Sequence, residues 1–181
     1  TSVTLLTTGV CSITASQAGN ADWNAAAPTV TRTFNVTALA QTISFPALAG
    51  VRFDQAAPAT AATASSGLAV TYSTVSTACS VTSGGVITLL GAGTCTIDAN
   101  QAGNGTYAAA PQVSQSFTIA KGDQTITFAA LADKTLLDSP VTISATATSG
   151  LTVSFASNSL AVCTVSGTSV TLLTTGVCSI T

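Results

Sequence analysis

One segment of the chain is repeated without change: TSVTLLTTGVCSIT stands at residues 1–14 and again at residues 168–181. A weaker copy, VITLLGAGTCTIDANQAGN, lies at residues 86–104, so the repeating unit is about half of the 167-residue step. QTISFPAL, which begins at residue 41, matches QTITFAAL, which begins at residue 124, and this pair gives a unit of 83 residues. Self-similarity at such a period predicts a tandem array of small domains.

The repeat predicts one whole domain and parts of two others. Residues 1–39 match the second half of a repeat, residues 40–123 form a complete repeat, and residues 124–181 match the first two-thirds of a third. We expect the chain to be a window on a continuous repetitive polypeptide. Strand complementation, in which the first part of one molecule completes the last part of another, is the alternative.

Charge is scarce throughout the chain. Charged residues make up 6% of it, with four Lys and Arg, six acidic residues and no His, and the formal net charge is −2. A basic surface for nucleic acid is therefore excluded. No run approaches the roughly 18–20 apolar residues of a membrane helix, so we expect no membrane insertion in this segment. A surface so poor in charge suits an extracellular polymer better than a cytosolic protein.

The residue pattern is that of β-strands. Thr, Ser, Val and Ala dominate, and Leu68, Val70 and Tyr72 alternate with polar or small residues, as their counterparts Leu151, Val153 and Phe155 do. Seven short strands with turn signals between them are expected in each repeat. This number predicts an all-β fold of tandem immunoglobulin-like β-sandwich domains of about 83 residues.

The motifs of the repeat also carry a resemblance to a family. Residues 153–181 give, in order, a V-S-F-x-S strand, a V-x-T-V strand, and V-T-L-L-x-x-G, and residues 9–15 give G-x-x-x-I-T-A. This order resembles the bacterial immunoglobulin-like repeats of surface adhesins and intimin/invasin-type proteins, and it extends over each whole repeat. The chain departs from the commoner pattern by its cysteines, and in this it resembles a subset found in very large, repetitive secreted proteins. The resemblance implies a stalk or fibre.

The five cysteines fall into two pairs and one single residue. Each paired cysteine shares its strand face with a β-branched apolar neighbour two residues away, so the pairs Cys79–Cys95 and Cys163–Cys178 are expected to point inward. We predict one intradomain disulfide in each repeat, joining the two sheets, and hence an oxidising, extracellular or cell-surface location. Cys11 is equivalent to Cys178, so its partner is expected upstream or in a neighbouring subunit. A zinc site is the rival interpretation, but two thiols without His cannot complete it.

The sequence offers little to catalysis or to cofactors. It has no His for a triad and no recurring pair of carboxylates, and unactivated Ser and Thr hydroxyls are weak nucleophiles, so we expect a protein that is not an enzyme and holds no cofactor. An isopeptide bond is disfavoured because neither lysine recurs at its equivalent position. Metal is not expected either, because the Asp residues form no D-x-D cluster. These residues are Lys121, Lys134, Asp54, Asp98, Asp123, Asp133 and Asp138.

Two aromatic residues stand in equivalent loops before the last strand of a repeat. Trp23 follows QAGN in the first part, and Tyr107 follows QAGN in the complete repeat. In an immunoglobulin-like topology this loop lies at the end that faces the preceding domain. We expect the aromatics to pack at the domain junction or within their own loop; a sugar-stacking platform is the functional alternative.

These observations predict a structural segment of a long extracellular or cell-surface bacterial fibre or adhesin stalk. Its partners would be copies of itself, joined head to tail in a filament or a continuous repeat chain. The alternative is an adhesive module that recognises a glycan or a surface receptor through its loops. Near-identity between the two aromatic loops favours the structural role, because a binding loop would differ from its neighbours.

Overall fold

The computed structural model describes residues 1–181 and is all-β. It has fifteen strands and one short 3-10 turn, and none of its helical residues form a segment that is long and apolar enough to cross a membrane. The chain divides into two compact units, Thr1–Gly122 and Asp123–Thr181. That division falls one residue before the predicted boundary between the second and third parts, whereas the boundary at residues 39 and 40 stays a prediction.

The first unit begins with a separate hairpin. Strand β1, Gly9–Ala15, pairs antiparallel with β2, Val30–Val36, along seven residue pairs. Gly9 lies opposite Val36 and Ala15 opposite Val30, which places Cys11 opposite Phe34. Residues of β1 and β2 are exposed apart from the partly buried Cys11 and Val36, so the hairpin has no covered face.

The rest of the first unit contains eight strands in three sheets. The largest sheet has the order β4-β10-β9-β6, and β3–β5 and β7–β8 form two-stranded sheets. Only β4 pairs in parallel, with the end of β10; the other pairs are antiparallel. The strands are β3 Ile43–Ser44, β4 Val51–Arg52, β5 Thr63–Ala64, β6 Thr71–Ser73, β7 Cys79–Val81, β8 Ile87–Leu89, β9 Gly93–Asn100 and β10 Val113–Ala120.

One hydrophobic core joins these three sheets. Buried residues alternate with partly buried ones in β9 and with exposed ones in the second half of β10, as expected where one face of a sheet covers a core. Their buried side chains pack with residues of the two smaller sheets in a single cluster. Its buried members are Ile43, Phe45, Cys79, Ile87, Cys95, Ile97, Ala99, Phe117 and Ile119.

The second unit, residues 123–181, has five strands. Strands β11 and β13 form one sheet, and a second sheet has the order β12-β15-β14. Its fully buried core is small, consisting of Ile143, Cys163 and Val170. The strands are β11 Ile126–Phe128, β12 Val141–Thr142, β13 Ala145–Ala147, β14 Cys163–Ser166 and β15 Ser169–Leu172, and the 3-10 turn is Leu136–Asp138.

Strand pairing in the two units follows the same register. Ile43 lies opposite Ala64 in β3–β5, and Ile126 lies opposite Ala147 in β11–β13, each 83 residues later. An edge-to-face ring pair, Phe45 with Tyr72 at 5.8 Å, also has a counterpart 83 residues later at 5.3 Å. Equal sequence steps therefore lead to equal local geometry.

The structure differs from the sequence prediction in the number of strands. It contains β4, which brings the complete repeat to eight strands rather than seven, because a two-residue strand leaves no alternating pattern to detect. In β8 the inward residue is Ile87, while Val86, just before the strand, is exposed.

Candidate functional site

The disulfide Cys79–Cys95 lies at the centre of the first unit. Cys79 begins β7 and Cys95 lies in the middle of β9, so the bond joins the two-stranded sheet β7–β8 to the four-stranded sheet. The two Cα atoms are 5.7 Å apart, a usual separation for a disulfide. Both side chains are buried within the hydrophobic core, so the sulfurs are shielded from solvent in the folded unit.

The second unit has the corresponding bond between Cys163 and Cys178. Its Cα–Cα distance is also 5.7 Å, and the two residues are 15 apart in sequence, against 16 in the first unit. Cys163 is fully buried, while Cys178 is partly exposed. The Ser157 hydroxyl donates to the Cys163 carbonyl at 2.8 Å, which ties the chain before β14 to the bond.

Cys11 remains a free, half-buried thiol on β1. Its cross-strand neighbour is Phe34, as Phe117 is the neighbour of Cys95 on β9 and β10. A disulfide between Cys11 and a cysteine upstream or in a neighbouring subunit stays a prediction.

Tyr107 and Trp23 lie in loops of the same construction but in different surroundings. In each loop an Asn side chain caps the turn: Asn104 Oδ1 accepts from the Tyr107 N–H at 2.9 Å, and Asn20 Oδ1 accepts from the Trp23 N–H at 2.9 Å. Tyr107 is half-buried, whereas 76% of Trp23 is exposed. The turn in each loop is therefore held by residues of the loop itself, whereas the burial of its aromatic side chain depends on the segment that packs against the loop.

The Tyr107 loop is paired with the segment that leads into β3. Leu39 forms a parallel bridge with Tyr107, its N–H donating to the Thr106 carbonyl at 2.8 Å and its carbonyl accepting from the Ala108 N–H at 2.8 Å. This pairing holds Tyr107 beside Leu39, in the segment that connects β2 to β3.

Gln41 fixes the same loop from inside the unit. It is the one buried polar residue, with 4% of its surface exposed. Its side-chain amide donates to Gln101 Oε1 at 2.7 Å and to the Ala108 carbonyl at 2.6 Å, and its Oε1 accepts from the Ser66 hydroxyl. Both the amide nitrogen and the carbonyl oxygen of Gln41 thereby have hydrogen-bond partners, as burial of an amide requires. Sequence reasoning missed this role, because the partners of Gln41 lie 60 and 67 residues away in the sequence.

The ionisable groups form no compact cluster. No three His, Cys, Asp or Glu side chains are placed to hold a metal ion. Arg52 and Asp54 form an ion pair at 3.1 Å, but both are exposed, and such pairs contribute little to stability. The pKa of Asp138 is lowered, because its carboxylate accepts from the Thr135 N–H at 2.7 Å and from the Thr135 hydroxyl at 2.9 Å, with Lys134 adding a smaller effect.

The second unit contains a groove. It has a volume of about 610 Å³ and is bordered by Leu131, Ile143, Val170, Leu172 and Ile180. Its lining also includes the polar residues Asp133, Lys134 and Thr135. Such a surface can bury apolar groups.

Comparison with known proteins gives no relative: no family model, no curated protein and no solved structure matches the chain.

Proposed function

We propose that the chain is a structural segment of a long extracellular fibre or stalk, built from immunoglobulin-like β-sandwich repeats joined head to tail. The observation that carries the proposal is the recurrence of one arrangement in both units. The first-strand register, the ring pair and the disulfide all return after 83 or 84 residues. A fibre or stalk explains such repetition, since each unit then adds the same length of folded chain to it.

The disulfides support the location and the mechanical part of this role. Disulfides persist mainly in oxidising compartments, which suits a secreted or surface-attached protein. In the first unit the bond joins two sheets across the core, as expected for a sandwich whose two halves must stay together under load. The short connection of residues 37–40, paired with the Tyr107 loop through Leu39, limits the freedom between successive repeats.

Stretching single molecules by their two ends tests this function. The disulfide withholds the residues between Cys79 and Cys95, a separation of 16, from extension. At up to ~3.6 Å per residue, reduction should lengthen the unfolding step of the first unit by about 50 Å. The Cys11→Ser variant is the control, since it removes a thiol that forms no bond. Unfolding steps of equal length before and after reduction, or unfolding without measurable force, would contradict a load-bearing role.

A second candidate function is adhesion through Trp23. The exposure of this indole offers a flat apolar surface of the kind on which sugar rings stack. Binding of the chain to a glycan array, lost in Trp23→Ala and retained in Tyr107→Ala, would favour it. The half-burial of Tyr107 against the Leu39 segment supports the junction role instead.

A further inference from the structure

Asn104 is the one asparagine of the chain that is followed by a glycine. An asparagine before a glycine is chemically labile, because the glycine nitrogen can attack the side-chain carbonyl carbon and close a cyclic imide. A Cβ on the following residue hinders this closure, since it crowds the attack and narrows the backbone angles open to that residue. Asn104 and Gly105 lie in the exposed loop between β9 and β10.

The attacking nitrogen, that of Gly105, is free to react. The Gly105 N–H donates to no other group of the protein. Apart from its chain neighbours, no heavy atom lies within 4 Å of the position that a Cβ would take on Gly105. Asn104 and Gly105 are both exposed, so water reaches the reacting atoms. The nitrogen is therefore neither engaged elsewhere nor crowded.

The turn also holds the carbonyl group that is attacked. Asn104 Oδ1 accepts hydrogen bonds from the Thr106 N–H at 2.8 Å and from the Tyr107 N–H at 2.9 Å. When a nitrogen attacks Cγ, negative charge develops on this same oxygen. A pair of backbone N–H donors directed at such an oxygen is the arrangement that stabilises the tetrahedral intermediate of acyl transfer. By capping its own turn, the loop thus places an oxyanion site at Asn104.

The loop between β1 and β2 contains the same turn without the glycine. Asn20 Oδ1 accepts from the Asp22 N–H at 3.0 Å and from the Trp23 N–H at 2.9 Å. Asn20 is exposed, as Asn104 is, but the residue that follows it is Ala21. The two loops differ at the attacking residue, so one serves as the control for the other.

We propose that Asn104 is a site of spontaneous deamidation in the folded chain, with Gly105 as the nucleophile and water as the co-reactant. The proposal goes beyond the fibre function and does not rest on it. The reaction converts an amide into a carboxylate and releases ammonia, without any change of oxidation state.

The reaction has two steps. In the first, the Gly105 nitrogen bonds to Asn104 Cγ and gives its proton to water, while the bond between Cγ and Nδ2 breaks and ammonia leaves with that electron pair and a proton from the solvent. In the second, water opens the cyclic imide. Opening at the side-chain carbonyl gives aspartate, whereas opening at the main-chain carbonyl gives isoaspartate, whose main chain runs through Cβ and is one carbon atom longer.

The two products affect the loop differently. Aspartate keeps an oxygen in the place of Oδ1 and adds a negative charge. Isoaspartate withdraws that oxygen, because Cγ becomes part of the main chain, and the Thr106 and Tyr107 N–H groups lose their acceptor. The Thr106 carbonyl and the Ala108 N–H are bonded to Leu39, so this loss weakens the pairing of the loop with the segment that leads into β3.

Incubation of the folded chain in a mildly alkaline buffer, followed by peptide mapping with mass spectrometry, measures both loops in one sample. We expect conversion at Asn104 to be at least about tenfold faster than at Asn20, which corresponds to a barrier difference of about 1.4 kcal/mol. Gly105→Ala should lower the rate at Asn104 to that of Asn20, and Ala21→Gly should raise the rate at Asn20 to that of Asn104. Equal rates in the parent chain, or rates that the two substitutions leave unchanged, would overturn the proposal.

The same measurement in concentrated guanidinium chloride isolates the contribution of the fold. If the two N–H donors assist the attack, conversion at Asn104 in the folded chain is at least as fast as in the unfolded chain. Slower conversion in the folded chain would show that the turn protects Asn104, and the proposed site would be refuted.

Amide hydrogen exchange on the separated products tests the effect on the loop. We expect the Leu39 and Ala108 amides to exchange faster in the isoaspartate product than in the parent chain. Asn104→Asp, which keeps the acceptor, is the control and should exchange as the parent does. Equal exchange in the isoaspartate product and in Asn104→Asp would overturn the effect on the Leu39 pairing. A failure of the fibre function would alter none of these rates, so the two failures are distinguishable.

Discussion

The stability of the first unit should depend strongly on the bond between Cys79 and Cys95. Replacing both residues by Ala removes a cross-link that closes a loop of sequence separation 16. In the chain-entropy model, a cross-link that closes a loop of this size raises the free energy of the unfolded chain by about 3 kcal/mol. Both sulfurs are buried in the core, so the lost packing adds to this cost. Reduction of the parent chain without substitution separates the two effects.

Amide hydrogen exchange by NMR measures this loss within the first unit alone. Amides of Ile97 and Ile119, in the central ladder, should exchange through global opening of the unit. A loss of about 3 kcal/mol corresponds to exchange faster by about two orders of magnitude. Cys11→Ala, which breaks no bond, should change exchange less than about threefold. If reduction speeds amide exchange less than about fivefold, the bond does not lower the entropy of the unfolded chain by the expected amount, and the prediction is wrong.

Two further predictions concern polar side chains. Gln41→Ala removes the hydrogen bonds that tie the 101–108 loop to the start of β3, and it should destabilise the first unit by about 1–3 kcal/mol in urea unfolding. The control Gln124→Ala, at the exposed equivalent position, should lower the free energy of unfolding by less than about 0.5 kcal/mol. Equal losses in the two variants would contradict the role given to burial. The carboxyl pKa of Asp138, measured by NMR titration, should lie below the usual value and rise towards it in Thr135→Val, which removes the hydroxyl donor and keeps the backbone donor. Because the folded pKa is lowered, the contribution of Asp138 to stability is present above its unfolded pKa of about 3.9 and is lost as the pH falls through the lowered value; a pKa unchanged in Thr135→Val would refute the hydroxyl's part.

The sequence predicts the all-β class and the strand faces where alternation is long. The face of Leu68, Val70 and Tyr72 is half-buried along its length, as the alternation required. Ile43 and Ile126 stand at equivalent positions of the same alternating pattern, yet Ile43 is buried and Ile126 is largely exposed. Local periodicity gives the face that can be buried, and only the presence of covering strands determines whether it is.

The cysteine pairs illustrate a prediction that depends on spacing as well as on pattern. A separation of 15 or 16 residues lets a strand, a hairpin and a second strand return the chain to its starting point, and both pairs are bonded in the structure. Gln41 shows the opposite case. Its partners, Gln101 and the Ala108 carbonyl, lie 60 and 67 residues away, so no local pattern could reveal that its amide is buried and satisfied.

Strand β4, which the sequence did not reveal, lies where tension would enter the proposed fibre. It pairs in parallel with the end of β10, and the Phe53 N–H adds a bond to the Ala120 carbonyl at 2.9 Å. Force that leaves the unit at Ala120 acts along this pair, so its few hydrogen bonds are loaded together in shear. Once they break, the chain extends, but the bond between Cys79 and Cys95 withholds the residues between them. A short parallel strand and a buried disulfide thus act in sequence: the first resists the start of unfolding, and the second shortens the extension that follows.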